Sequence, residues 1–233
     1  MDYRDRQVVV TGGTGALGGA VVAALVEAGA VCHLPYRSEA EAARFGLRQH
    51  AQVKLLAAGD LADEAAVARI YDAVPALWAS IHIAGGFAFA PIADTDRKLL
   101  MAQIETNLVS CFLCCRAAVA AMRKSGQGGR IVNVAARPAL EWRQGAKMTA
   151  YTAAKAGVAA LTAALAEELA GEGILVNAVA PSIMDTPANR RSMPKADYAK
   201  WPKVEEVAQS ILFLASPGNQ VTRGGVLPVY GRS

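Results

Sequence analysis

Residues 8–26 of this 233-residue chain carry no charge, and five glycines crowd between Gly12 and Gly19 in the middle of them. A membrane span of that length would not gather its glycines in one place, so the pattern predicts a buried strand, a tight turn and a buried helix. Gly12, Gly15 and Gly18 mark the turn. Glycine allows the main chain to come close to a bound group, and the helix start that follows offers unpaired N–H groups and a partial positive charge. With Thr14, Ala16 and Leu17, the turn is a cradle for an anion such as the pyrophosphate of a dinucleotide.

The remaining chain repeats this alternation. Short Val/Ile/Leu runs at residues 8–10, 31–34, 53–57, 81–83, 131–134, 175–180 and 226–229 are separated by helical patterns at 16–28, 39–49, 63–74, 97–122, 150–170 and 204–215. Apolar strands divided by helices predict one α/β domain over residues 1–233, a doubly wound parallel sheet covered on both faces. Residues 181–202 break the rhythm with four prolines, just after a strand, and are expected to form a substrate loop or lid. The helices at 97–122 and 150–170 are unusual, the second being Ala-rich, nearly charge-free from 156 to 166 and apolar all round. Burial on more than one side predicts a homodimer or homotetramer through them.

Hydrophobic residues make up 53% and charged residues 19%, which argues against disorder. A net charge of +4 without a basic block gives no nucleic-acid surface. Three of the four cysteines (Cys111, Cys114 and Cys115, with Cys32 apart) share one apolar segment with no second Cys/His group at a useful spacing. They read as small buried hydrophobes in a cytoplasmic, reducing setting, with no metal. The first six residues lead directly into a strand, so neither a signal peptide nor a membrane segment is expected.

Cofactor type is commonly set at the end of the second strand, where an acid binds a ribose 2′-hydroxyl and an arginine a 2′-phosphate. Here the chain reads Leu34-Pro-Tyr-Arg-Ser38. Arg37 and Ser38 favour NADP(H), with NAD(H) possible; the plainer alternative is a solvated arginine at a helix entrance. Asp60, followed by Leu61, is placed to accept from an adenine amino group, while Asp63 suits the helix cap beside it. Ala84, Gly85 and Gly86 are small enough to let a nucleoside lie against the backbone.

Tyr151 and Lys155 stand at i and i+4, on one helical face. A phenol titrates near about 10, and a neighbouring ammonium would lower that value toward neutrality. Tyr151 would then pass a proton to a substrate that receives hydride, with Lys155 tuning it and holding the nicotinamide ribose.

The glycine turn, Asp60, Ala84-Gly-Gly86, Asn107, Ile131-Val-Asn-Val134, Tyr151/Lys155 and Pro181-Ser-Ile-Met-Asp-Thr186 together resemble the short-chain dehydrogenase/reductase family along essentially the whole chain. The resemblance implies a Rossmann sheet of about seven strands, an oxidoreductase using a nicotinamide cofactor, and the roles given for Tyr151 and Lys155. It further implies that Asn107 holds a water in a proton relay, and that Pro181, Ile183 and Thr186 meet the nicotinamide side. Two departures stand out. Ala16 occupies a position that is often glycine, and alanines (Ala135, Ala136) stand where a substrate-polarising serine is expected. Both departures resemble the dihydropteridine reductase-like branch. They leave three explanations: an electron-poor substrate such as a conjugated C=N compound; a replacement donor among Arg137, Trp142 and Arg143 near Ala136; or a silent dinucleotide-binding protein. An ordinary ketone reductase or alcohol dehydrogenase is the alternative activity.

Overall fold

The computed structural model describes residues 1–233. Seven strands form one parallel sheet in the order β3-β2-β1-β4-β5-β6-β7: β1 (Gln7–Thr11), β2 (Val31–Tyr36), β3 (Val53–Ala57), β4 (Leu77–His82), β5 (Gly129–Val134), β6 (Ile174–Pro181) and β7 (Val226–Val229). Every neighbouring pair runs parallel. The strand order reverses between β1 and β4, and the crevice that this opens beyond their C-terminal ends is where a doubly wound sheet receives a ligand.

Both faces of the sheet are covered, as near-continuous apolar strands require. On one side α1 (Ala16–Glu27) and α9 (Val204–Ala215) bury Leu17, Val21, Leu25, Ile211 and Leu212 against β1, β2 and β4. On the other, α3 (Glu64–Asp72), α5 (Ser110–Ser125) and α7 (Thr149–Glu168) bury Ile70, Cys114, Met122, Val158 and Ala166. Asp63 caps α3 by accepting from Ala65 N and Ala66 N. Arg97–Ser125 is long and apolar enough to cross a membrane by length and composition, but its α5 portion lies in this second core.

Four details differ from the sequence reading. β4 begins at Leu77 rather than residue 81, because Ser80 and His82 are buried polar positions satisfied by each other and by Tyr71. α2 (Glu39–Arg44) stops well short of residue 49: Phe45 turns to an extended backbone and buries its ring in the α1-side core. The helix from 97 onward is not uniform. After α4 (Arg97–Ile104), a π-helical turn over Glu105–Val109 precedes α5. Finally, residues 181–202 contain structure of their own. The short α6 (Arg137–Leu140) aside, the remaining helix is α8 (Pro187–Ser192), capped by Thr186 and started by Pro187, and Tyr198–Lys200 forms a 3₁₀ turn.

Candidate active site

The turn after β1 requires glycine at position 12. Its φ is +67°, and a Cβ there would stand 2.8 Å from Ala84 N, so the β1 and β4 ends approach more closely than any side chain permits. Gly15 N donates back to Gly12 O at 3.1 Å and Gly15 is the N-cap of α1, which leaves the first N–H groups of that helix facing the crevice. A cavity of about 420 Å³ opens here. Gly12, Gly15, Ala16, Leu17, Gly18, Arg37, Asp60, Leu61, Ala84 and Gly85 line it.

Several expected cofactor contacts sit elsewhere. Thr14 donates its hydroxyl to the Glu41 carboxylate instead of facing the cavity. Ser38 is the N-cap of α2, accepting from Glu41 N at 3.3 Å, so its oxygen serves the helix first. Gly86 lies just beyond the wall, tied to Asn107. Pro181 pairs with β7, Thr186 caps α8, and Ile183 is exposed. Asp60 accepts from Ala62 N at 2.9 Å, shaping the turn that carries it into the cavity wall.

Sequence reading missed Glu41. Its carboxylate lines the cavity and also accepts from Arg37 N at 3.0 Å. The signal was present: Ser38-Glu-Ala-Glu41 has capping-box spacing, which turns the fourth residue's side chain back toward the helix entrance. Thr106 and Ser110, from the π turn and the start of α5, also line the cavity and were missed.

Tyr151 and Lys155 lie one turn apart on α7. Lys155 is buried and donates to Val134 O at 2.7 Å. Loss of solvation lowers its pKa to about 8. Burial also pushes Tyr151 up to about 12, opposite to the expected lowering. The reason is positional: the ammonium points at the β5 carbonyl, and burial disfavours the phenolate. The phenol ring meets Phe87 edge-on, with centroids 5.0 Å apart and planes at 84°. Phe87, one residue beyond the small-residue segment, is a further neighbour that motif reading passed over.

Asn107 sits in the π turn, buried. Both of its amide hydrogens are taken, by Gly86 O and Gln103 O at 3.0 Å each, and its oxygen accepts from Gly86 N at 3.1 Å. The side chain therefore fixes the loop after β4. A Cβ on Gly85 would lie 2.6 Å from Asn107 Oδ1 and 3.4 Å from Lys155 Nζ, so the cavity wall, the asparagine and the lysine meet at this one glycine.

At the position of the absent serine, Ala135 and Ala136 are buried and present only methyl groups. The proposed substitute donors are largely occupied. Arg137 pairs with Glu141 at 2.9 Å and stacks on Tyr230, 4.7 Å from its centroid. Trp142 spends its indole N–H on Ala139 O at 3.0 Å while its ring is exposed. Arg143 lines a shallow depression with Trp142 and the outer face of α7.

Comparison with known proteins agrees with this geometry. The family model for short chain dehydrogenases matches residues 6–197. A cis-4-hydroxycyclohexanecarboxylate dehydrogenase of Sinomonas cyclohexanicum is 34% identical, with 98% of this chain and 96% of the relative covered. A 2-dehydro-3-deoxy-L-rhamnonate dehydrogenase (NAD(+)) of a Sphingomonas species is also 34% identical, over 98% and 95%. Among solved structures, a short-chain dehydrogenase/reductase family oxidoreductase from Burkholderia thailandensis superposes with a TM-score of 0.86 at 27% identity, covering 97% of this chain and 92% of that one. The chain belongs to the short-chain dehydrogenase/reductase family and is an oxidoreductase of the NAD(P)-binding Rossmann type. The first two relatives are named as dehydrogenases. They lend no support to the dihydropteridine reductase-like branch or to a C=N substrate.

Proposed function

We propose that this chain interconverts an alcohol and its carbonyl compound, with Tyr151 exchanging the proton at the substrate oxygen. The bound nicotinamide supplies or accepts the hydride. Gly85 carries the reading, since it lines the glycine-turn cavity and stands beside Lys155, linking the dinucleotide site to the tyrosine helix. A phenol held near about 12 is a proton donor throughout the neutral range. Lys155 uses one N–H on Val134 O and keeps two for the ribose and for the developing oxyanion's field. Asn107 positions the loop between them.

Arg37 lines the cavity without a carboxylate partner, which supports NADP(H) as the preferred cofactor. Glu41 in the same wall, and the NAD(+) named for the Sphingomonas relative, support NAD(H) as the second. The outward alanines of α7 and the half-exposed Phe112 of α5 support a homodimer or homotetramer through these helices. Four free, buried thiols suit a reducing cytoplasm.

A second reading, hydride transfer to a conjugated C=N compound, is favoured by one observation. The methyl groups of Ala135 and Ala136 offer no hydrogen bond to a carbonyl, and an electron-poor substrate needs none. Nicotinamide absorbance followed with cyclic secondary alcohols, sugar alcohols, ketones and quinonoid dihydropterin decides between them. Turnover of alcohols or ketones supports the first reading; turnover of the pterin alone supports the second. Tight dinucleotide binding without any turnover would mean a silent binding protein.

A further inference from the structure

Behind the catalytic helix, β4, β5 and α5 bring together four side chains that no step of the reaction uses. His82 Nδ1 and the sulfurs of Cys111 and Cys115 all lie within 4.8 Å of one another. Asn133 Oδ1 caps them, 2.8 Å from His82 Nδ1, 3.3 Å from Cys111 Sγ and 3.5 Å from Cys115 Sγ. Cys115 Sγ is itself 3.5 Å from His82 Nδ1. All four residues are buried. The two cysteines are four apart on one helix face, and folding supplies the histidine that no local spacing announces. We propose that His82, Cys111, Cys115 and Asn133 form a closed, four-ligand site for zinc.

Three features support the assignment. Bond lengths of about 2.3 Å to sulfur and about 2.0–2.1 Å to nitrogen or oxygen give a tetrahedron with edges of about 3.3–3.8 Å. Of the six separations between these atoms, three are 3.3–3.5 Å, the His82–Asn133 pair is tighter at 2.8 Å, and the other two are within 4.8 Å. The amide oxygen is also held toward the cluster. Thr162 gives its hydroxyl proton to Val158 O and accepts from Asn133 Nδ2, which turns Oδ1 toward two thiols and an imidazole nitrogen at once. The oxygen, the two sulfurs and the imidazole nitrogen thus converge on one buried point, as the ligands of a single cation must. The outer contacts are of the kind metal-bound side chains have. His82 Nε2 reaches Ser80 Oγ at 2.8 Å, with Tyr71 behind it, so the ring can donate outward while Nδ1 keeps its lone pair inward.

The charges balance. Binding releases one proton from each thiol, and two thiolates cancel the dication, so no net charge enters the core. A site this enclosed has no open coordination position, which makes it structural and sets its filling at the time of folding.

Elemental analysis of protein produced in zinc-supplemented medium tests this. One zinc per chain is expected, retained by Cys32→Ser and lost from Cys111→Ala/Cys115→Ala. Should that double variant fail to fold, wild-type protein unfolded and refolded with cobalt(II) is expected to show a thiolate-to-cobalt charge-transfer band. Metal-free wild-type protein with no band after cobalt refolding overturns the proposal, leaving a hydrogen-bonded cluster only. Zinc kept in full by a folded double variant overturns the ligand assignment.

Discussion

Lys155 Nζ donates to Val134 O at 2.7 Å, and this bond ties α7 to the end of β5. It holds a buried ammonium beside the cavity wall. Burial is the reason that both groups are shifted toward their neutral forms, the lysine down and the tyrosine up.

Stability follows from that shift. Lys155 loses its proton near 8 in the folded chain and near its ordinary 10.5 in the unfolded one. Between those values the unfolded chain binds more protons, so the lysine's contribution to stability rises with pH across that window. Tyr151 acts oppositely but later, since its folded value near 12 exceeds its ordinary 10.0, so its contribution falls only as pH climbs above 10.0. Urea unfolding at pH 8 and pH 10 checks this. Lys155→Met is expected to lose the wild-type gain over that interval; an equal gain in the variant would contradict the shift.

Gly85→Ala puts a methyl group 2.6 Å from Oδ1 of Asn107, whose side-chain amide three hydrogen bonds hold in place. Overpacking of this kind costs about 1–3 kcal/mol. A lower denaturation midpoint, together with weaker dinucleotide binding by fluorescence titration, is expected. A variant unchanged in both would show that the loop adjusts freely.

Arg37 and Glu41 act in opposite directions on a 2′-phosphate. Removing the carboxylate charge with Glu41→Gln is expected to raise the NADPH/NADH ratio of kcat/KM by about tenfold, the size of one like-charge contact in a partly wet cleft. Arg37→Asp is expected to lower the same ratio. Steady-state kinetics with both cofactors reads each change, and an unaltered ratio in both variants would remove these residues from cofactor choice.

Much of this was readable in the sequence because the sheet is buried on both faces, so its strands appear as plain runs of Val, Ile and Leu. The glycine turn and the Tyr151/Lys155 pair were readable for a similar reason: each is a local spacing. What escaped depends on distant partners. Ser80 and His82 hid the first half of β4, because a polar residue signals a strand only when Tyr71 and Asn133 are known to meet it. Phe45 ended α2 by finding the core, and His82 reached Cys111 and Cys115 only through the packing of α5 on β4. The direction of the Tyr151 shift was misjudged because helical spacing places Lys155 nearby and says nothing of where its ammonium points.

Tyr151 is proposed as the proton donor beside a dinucleotide held at Gly12–Gly18. The phenol oxygen makes no hydrogen bond within the chain, so Tyr151→Phe should fold as the wild type does. The most direct measurement is single-turnover oxidation of bound nicotinamide by a ketone substrate in that variant. A rate reduced by about 10²–10⁴, with dinucleotide affinity retained, is the result expected of losing a general acid. Wild-type rates from a correctly folded Tyr151→Phe protein would contradict the account.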